Sequence, residues 1–231
     1  MIYFRSILFY LGQGLSTIPF ALISLLAMAL PAKLRSRIIA GWAIFVTWWL
    51  RITCGLKYDL INPENILDEP CVYASNHSSV WETITTQKFL PALAWVLKKE
   101  LLKIPFFGWG LWITQPIAID RNDRTNALEQ VIRQGKEKFL EGRNVLIFPE
   151  GTRTKYGVVG NYKKGAAKLA RAGKVSIVPI AHVAGKYWSK DSPWIKSGTI
   201  KCIIGPVIHT ENKTDQEITD EIKNWVISQN L

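Results

Sequence analysis

The chain has few cysteines, and their positions give them no shared role. Cys54, Cys71 and Cys202 lie far apart among 231 residues, and no C-x-x-C motif occurs. An odd number of scattered cysteines argues against a disulfide framework and a zinc site, and it fits a reducing compartment. We therefore expect three small, buried side chains that bind no metal.

Acidic residues are absent from the first 53 positions, whereas five basic residues occur there: Arg5, Lys33, Arg35, Arg37 and Arg51. The whole chain has a formal net charge of +11, but only 20% of its residues are charged, which is few for a soluble domain. A basic balance suits nucleic acid, an anionic membrane surface or phosphorylated substrates. No zinc-finger spacing or RNA-recognition signature is present, so we expect a membrane lipid bilayer as partner and no nucleic acid.

A charge-free run from Ser6 to Ala32 is long enough to span a bilayer as a helix, and a second apolar run follows at 38–50. Basic residues stand after the first run, where a secretory signal would have a small-residue cleavage site. We therefore predict that residues 1–54 form an N-terminal hydrophobic two-helix membrane-binding segment.

Two placements of this segment in a membrane remain open. A hairpin of two spans with a cytoplasmic catalytic domain would put the basic residues between the helices outside, against the positive-inside rule. Either the first helix spans alone, or both helices lie in the cytoplasmic interface with Trp42, Trp48 and Trp49 at headgroup depth. A buried hairpin of a soluble protein is a third possibility, which so long a charge-free run disfavours.

Short apolar runs alternate with amphipathic ones from Gly55 onward. The pattern predicts strands at 71–75, 92–97, 116–119, 144–148, 175–181 and 199–204, and helices at 80–89, 123–140, 162–172 and from 214 onward. The last helix begins with a capping box, Thr214 to Glu217. Alternating strands and helices predict an α/β fold with a mixed, largely parallel sheet flanked by helices. We expect residues 55–231 to form the catalytic domain, with ligands at the carboxyl ends of strands.

The first polar motif spans residues 76–82, reads Asn-His-Ser-Ser-Val-Trp-Glu, and joins a predicted strand to a predicted helix. His77 in the loop and Glu82 in the first helical turn can meet there. A carboxylate that holds one ring nitrogen leaves the other free to take a proton from a hydroxyl. A non-catalytic interpretation is a capping box between Ser79 and Glu82. A serine nucleophile is disfavoured, because no G-x-S-x-G motif occurs.

The second polar motif spans residues 148–153, reads Phe-Pro-Glu-Gly-Thr-Arg, and follows a predicted buried strand. Gly151 permits a tight turn with positive φ. Arg153 offers a planar fork of donors that matches a phosphate, and Thr152 adds a hydroxyl. The motif predicts an anion site without a metal. The alternative is a solvated turn with a surface ion pair between Glu150 and Arg153.

The two motifs, in this order, resemble the glycerolipid acyltransferase family, which includes the bacterial lysophosphatidate acyltransferases. Further matching blocks lie at 98–101, 105–108, 119–121 and 178–180, and the resemblance covers about residues 55–210. The family's usual first motif has Asp five residues after the His, whereas this chain has Glu82. A carboxylate that is longer by one methylene can still orient the His.

The resemblance implies a role for each matched residue. His77 is the expected general base, and Glu82 is its orienting partner. The residues expected to hold the glycerol-phosphate end of the acceptor are Arg121, Glu150, Gly151, Thr152 and Arg153. The strand at 178–180 is expected to help line the acyl-donor site. The donor's phosphates or anionic lipids are expected to meet Lys98, Lys99 and Lys103, for which a solvated basic face is the alternative.

The resemblance also implies the reaction, in which a fatty acyl chain moves from acyl-CoA or acyl-carrier protein to lysophosphatidic acid, giving phosphatidic acid. No metal or cofactor is needed, and backbone amides at the helix start near Ser79 are expected to stabilise the oxyanion. The expected location is the bacterial inner membrane, with the catalytic domain on the cytoplasmic side. Three alternatives remain: another acceptor such as lyso-ornithine lipid or another lysophospholipid, a non-catalytic lipid-binding protein, and a thioesterase.

Overall fold

A seven-stranded sheet lies at the centre of the computed structural model, which describes residues 1–120 and 124–230. Its strands are β1 (Leu56–Ile61), β2 (Val72–Ser75), β3 (Leu93–Lys98), β4 (Ile117–Ile119), β5 (Asn144–Ile147), β6 (Ile177–His182) and β7 (Gly198–Ile204). The order across the sheet is β1-β7-β6-β2-β5-β3-β4, and every neighbouring pair is parallel except β6 and β7. The predicted mixed, largely parallel sheet is confirmed.

Helices cover both faces of this sheet. They are α1 (Ile2–Leu26), α2 (Ala32–Cys54), α3 (Trp81–Phe89), α4 (Phe107–Ile113), α5 (Arg124–Leu140), α6 (Gly165–Gly173), α7 (Ala184–Tyr187) and α8 (Asp215–Ser228). Successive side chains of a strand point to opposite faces, so side chains of β2 pack into two hydrophobic cores, one on each face of the sheet. Tyr73 packs in a core with α1, α2 and α3, whereas Val72 and Ala74 pack in a core with α5, α6 and α8.

The two N-terminal helices pack against each other and against the sheet. Gly12 permits their close approach, because a Cβ there would come within 2.1 Å of Trp49 Nε1. Phe9 is fully buried, with its ring 5.3 Å from that of Trp188. Arg5 Nε donates to the Thr53 carbonyl. The predicted two-helix segment is therefore present, and it shares a core with the sheet. The division into two domains after residue 54 stays a prediction.

One long helical stretch in the described part of the chain, Ile2–Ala29, is long and apolar enough to cross a membrane. Many of its large apolar side chains are exposed: Tyr3, Phe4, Ile7, Leu11, Leu15, Ile18, Leu22 and Leu26. Of the three tryptophans predicted at headgroup depth, only Trp48 is well exposed. Trp42 is buried inside the protein and donates its Nε1–H to Ser16 Oγ, and Trp49 donates to the Leu8 carbonyl, so their depth in a membrane stays a prediction.

The element bounds differ from the sequence prediction where tertiary contacts compete with the local pattern. Two elements were not predicted: α4 and the edge strand β1, in which polar Lys57 and Asp59 break the apolar run. The predicted start of α6 at Tyr162 is too early, because Lys163 donates its amide to the Pro149 carbonyl and the helix begins later. The capping box of the last helix is confirmed.

Candidate active site

Three strand ends meet at one edge of the sheet and carry both polar motifs. β2 runs parallel to both β5 and β6, so the carboxyl ends of all three strands lie together. The first motif follows β2, and the second follows β5. This is the edge at which ligands bind in open α/β sheets.

His77 and Glu82 form a hydrogen-bonded pair at this edge. His77 Nδ1 lies 2.8 Å from Glu82 Oε1, and the amides of Ser78 and Ser79 donate to the same oxygen. The Ser79 hydroxyl accepts from Trp81 instead of completing a capping box. Glu82 therefore caps the start of α3 and holds the histidine ring at once, so the two interpretations of this motif are not exclusive.

Glu82 is fully buried and ionised. Its burial raises the pKa of the carboxyl, but His182 and the hydrogen bonds from His77 and Ser79 outweigh this effect, so the pKa lies below its ordinary value. A carboxylate only accepts hydrogen bonds, so His77 Nδ1 carries the proton and Nε2 has a free lone pair. The His77 ring stacks on Phe148 at 4.0 Å between ring centroids. These contacts fix both the tautomer and the orientation of the ring.

The second motif holds the backbone of His77 rather than forming a surface ion pair. Glu150 is buried, and its Oε2 accepts from the His77 amide at 2.8 Å. Thr154 donates its amide and its hydroxyl to the His77 carbonyl. Gly151 has φ of +71°, and its amide donates to Phe148 to close the predicted tight turn. Both sides of the His77 peptide are thus tied to the loop after β5.

A pH-dependent stability is expected from Glu150. Burial, with a smaller contribution from the charge of Glu82, raises the pKa of this carboxyl to about 8. Between its ordinary value and about 8, the folded state holds a proton that the unfolded state has released. The free energy of unfolding should therefore fall as pH rises through this window. Glu150→Gln keeps an acceptor for the His77 amide and should flatten this fall, measured as melting temperature in detergent between pH 5 and 8.

Glu217→Gln is a control with the opposite sign. Hydrogen bonds from Thr214 lower the pKa of this exposed carboxyl, so its stabilising contribution is lost only as pH falls below the ordinary range of a glutamate, and Glu217→Gln should leave the slope between pH 5 and 8 unchanged. Parallel melting curves for the native chain and Glu150→Gln across the whole pH range would contradict the assignment of Glu150.

A cavity of about 570 Å³ opens beside His77. At the carboxyl ends of β2, β3 and β5, its lining includes His77, Lys98, Thr152 and Arg153, and Lys190 is bound to the Arg153 carbonyl. Elsewhere the lining is largely apolar and comes from four helices and β3, with residues such as Phe20, Ile39, Trp42, Ile84, Trp95, Phe107 and Leu111. The cavity therefore joins a basic mouth, which can hold an anion, to an apolar interior, which can hold an alkyl chain.

The predicted site residues occupy different positions around this cavity. His77, Thr152 and Arg153 line it, whereas Glu82 and Glu150 lie behind His77 and hold its side chain and backbone. Arg121 lies outside the described residues. Lys98 lines the cavity, and Lys99 forms an ion pair with Asp120. Contact of Lys98, Lys99 and Lys103 with donor phosphates or anionic lipids stays a prediction.

Two sequence-based expectations do not match the geometry. Val178 and Ile180 are completely buried and do not line the cavity, because β6 lies inside the sheet between β2 and β7. The amides of Ser78 and Ser79 are not available for an oxyanion, because both already donate to Glu82. The role of the 178–180 strand is instead to support the first motif, since the Asn76 amide donates to the Ile180 carbonyl.

His182 is a residue of this site that the sequence did not predict. It is the last residue of β6, and its buried side chain lies against Asn76 and Glu82. The available signal was positional, since this histidine directly follows a predicted strand at the ligand-binding edge of the sheet.

The comparisons with known proteins agree with this geometry. A 1-acyl-sn-glycerol-3-phosphate acyltransferase from Pseudomonas aeruginosa is 41% identical over 96% of this chain and 88% of the relative. The Escherichia coli protein of that name is 35% identical over 54% of this chain and 52% of its own length. The crystal structure of the Thermotoga maritima 1-acyl-sn-glycerophosphate acyltransferase has the same fold, with a TM-score of 0.82 at 20% identity, over 99% of this chain and 95% of that one. A family model described as Acyltransferase matches residues 57–183, and the chain therefore belongs to this family of acyltransferases.

Proposed function

We propose that this chain transfers a fatty acyl group from a thioester to the free hydroxyl of lysophosphatidic acid, giving phosphatidic acid in phospholipid biosynthesis. The observation that carries the proposal is the His77–Glu82 pair beside a cavity whose lining includes the cationic side chains of the basic mouth and is otherwise largely apolar. The names of the similar proteins support the same acceptor.

In the proposed step, His77 acts as general base. Its free Nε2 takes the proton of the acceptor hydroxyl as that oxygen attacks the thioester carbonyl. The new C–O bond forms, the C–S bond breaks, and the leaving thiolate takes the proton from His77. The charge of Glu82 stabilises the imidazolium that exists between the two proton transfers. No step requires a metal or a redox cofactor.

The basic mouth suits the phosphate of the acceptor. Arg153 supplies a planar guanidinium, and Thr152 and Lys98 line the same region. The Arg153 carbonyl accepts from Lys190 Nζ at 2.8 Å, which brings another cation to this loop. Arg121 is kept as a proposed phosphate ligand on the resemblance of its motif alone. With the phosphate at this mouth, the glycerol hydroxyl is brought towards His77, and positioning of this kind supplies much of the rate.

We propose acyl-CoA or acyl-carrier protein as the donor, with its alkyl chain in the apolar part of the cavity. The test is incubation of detergent-purified protein with lysophosphatidic acid and a labelled acyl group on each donor in turn. Phosphatidic acid formed from either donor supports the proposal and identifies that donor. Free fatty acid without any acceptor lipid indicates a thioesterase, and no product from either donor contradicts the acceptor.

Arg153→Ala should raise the KM for lysophosphatidic acid by about 10- to 100-fold, the worth of charge-assisted hydrogen bonds to one phosphate. The KM of Arg153→Lys should lie between those of the native chain and Arg153→Ala, because an ammonium keeps the charge but lacks the planar fork. The matched control is Lys155→Ala, a nearby exposed cation paired with Asp191 at 3.7 Å. With an acceptor that has no phosphate, such as a lyso-ornithine lipid, Arg153→Ala should change the KM for the acceptor little. Equal losses on both acceptors would contradict a phosphate site at Arg153.

We propose that α1 and α2 lie in the cytoplasmic interface of the inner membrane rather than crossing it. α1 contacts the rest of the protein along its length, from the Tyr3 ring against Trp194 at 4.6 Å to the buried Ala21 and Ser24. A helix that left the domain to span the bilayer would lose these contacts. The exposed apolar side chains of α1, with Trp48 of α2 and Trp112 of α4, suit insertion into one leaflet.

A labelling experiment separates the two placements. Phe4→Cys introduces an exposed thiol near the N-terminus, while Cys54, Cys71 and Cys202 are buried and should give little background. A membrane-impermeant maleimide should leave this variant unlabelled in intact cells and label it after detergent lysis. Labelling in intact cells would mean that α1 crosses the membrane.

A further inference from the structure

His182 is a buried histidine that the acid–base step does not use. Its side chain is completely buried at the end of β6. Its Nδ1 accepts from the Ala184 amide at 3.3 Å, and its Nε2 lies 2.8 Å from the Asn76 carbonyl oxygen. A carbonyl only accepts, so Nε2 carries the proton and donates it to Asn76. Burial lowers the pKa of this ring, which keeps it neutral in this tautomer.

Asn76 and His182 are joined by two further hydrogen bonds. Asn76 Nδ2 donates to the His182 carbonyl at 3.0 Å, and the His182 amide donates to Asn76 Oδ1 at 2.9 Å. Three bonds thus connect the end of β6 to the residue that directly precedes His77. The contact joins positions 106 residues apart in the chain, so no local turn preference accounts for it.

The same imidazole faces the second oxygen of Glu82. Glu82 Oε1 accepts three hydrogen bonds, but Oε2 has no hydrogen-bond partner among the residues that the structure describes. His182 Nε2 lies 3.9 Å from this oxygen, and both side chains are closed to solvent. The Trp81 ring packs edge-on against His182 at 5.6 Å and limits its movement. The Nε2–H of His182 is donated to Asn76, and its nitrogen is the polar group that lies beside this unpaired carboxylate oxygen.

We propose that His182 is a positioning residue for acyl transfer: its Nε2–H holds the Asn76 carbonyl, and its buried ring packs beside Glu82, so that the His77–Glu82 bond is kept through the reaction. The inference rests on the proposed function for its activity assay. It predicts that His182 acts on the rate of transfer and not on substrate binding, since it lines no part of the cavity.

Two isosteric replacements test which nitrogen matters. Glutamine can place an amide donor where His Nε2 stands, whereas asparagine can reach only as far as Nδ1. His182→Asn should lower kcat by about 10- to 100-fold with both KM values within about twofold, because a small misplacement of a catalytic group costs this much. His182→Gln should recover most of the native kcat.

The matched control is Cys202→Ala. Cys202 is completely buried and sits opposite His182 in the β6–β7 register, so its truncation disturbs the same core without removing the imidazole. Its kcat should stay near the native value. If Cys202→Ala loses as much kcat as His182→Asn, general damage to the core explains the effect and the proposal is overturned.

Hydrogen exchange gives a readout that needs no substrate. The amides of Ser78 and Ser79 donate to Glu82, so loosening of this loop should speed their exchange in His182→Asn and not in His182→Gln. Native kcat in His182→Asn, or equal exchange in the native chain and both variants, would overturn the proposal. If the native chain fails to acylate lysophosphatidic acid, the proposed function fails instead, and exchange still decides whether His182 holds the loop.

Discussion

His77→Ala should lower kcat for phosphatidic acid formation by about 10²- to 10⁴-fold, the usual contribution of a general base. Without the imidazole, no group in the described cavity lining is placed to take the hydroxyl proton, since its other polar members at this end are cations and a threonine hydroxyl. The KM values should change little, because the phosphate and alkyl contacts remain. The measurement is initial rate against the concentration of each substrate, with the donor that supports activity.

His209→Ala is the matched control for loss of a histidine. His209 is exposed and contacts Ser176 Oγ at 3.4 Å, and it takes no part in the site. This variant should keep native kinetics. Undiminished activity of His77→Ala would contradict the mechanism even where the reaction itself is observed.

A covalent acyl-serine is the mechanistic alternative, and the structure disfavours it in detail. Ser78 is buried, and its Oγ accepts from the Gly185 amide at 3.1 Å. The two residues are packed so closely that a Cβ on Gly185 would lie 2.9 Å from the Ser78 Cβ. Ser79 is also buried, with its Oγ on the Trp81 amide. Neither hydroxyl is free to face a thioester in the cavity.

The parts of the site that could be predicted from the sequence are local. His77 and Glu82 are five residues apart, so the geometry of a loop entering a helix is enough to bring them together. The partners of the His77 backbone are not local, since Glu150 is 73 residues away. The motif pattern placed Glu150 at the acceptor because an exposed and a buried glutamate look alike in a sequence. Only the packing of the loop after β5 against the loop after β2 distinguishes them.

In the fold, too, the features set by local sequence could be predicted and those set by tertiary packing could not. Apolar runs in central strands such as β2 and β5 were predicted within a residue or two, because strands buried on both faces read as continuous apolar segments. The edge strand β1 escaped prediction because only some of its side chains are buried. For Trp42 and Trp48, composition showed the aromatic cluster but not the rotation of α2, which buries one ring and exposes the other.

Glu82→Gln is expected to lower kcat by about 10³- to 10⁴-fold, as for an orienting carboxylate in other acid–base pairs. The variant removes a charge and keeps the shape. Its amide oxygen can accept from His77, Ser78 and Ser79 in place of Oε1, and its amide nitrogen then takes the position of Oε2. That nitrogen has no acceptor in the described structure and lies beside His182 Nε2, so the melting temperature should fall somewhat, while the imidazolium formed during transfer loses its counter-charge.

Glu82→Asp tests the length of the side chain apart from its charge. Aspartate keeps the charge but is shorter by one methylene, so its carboxylate cannot meet both the His77 ring and the Ser78 and Ser79 amides at the present 2.8 Å without movement of the loop. We expect a smaller loss of kcat than in Glu82→Gln, together with faster amide exchange at Ser78 and Ser79. If Glu82→Gln kept the native rate and only Glu82→Asp were impaired, Glu82 would serve as a helix cap alone. A loss of kcat in folded Glu82→Gln that far exceeds the loss in Glu82→Asp requires the charge of Glu82, and a base that becomes cationic during transfer is the reason for such a requirement.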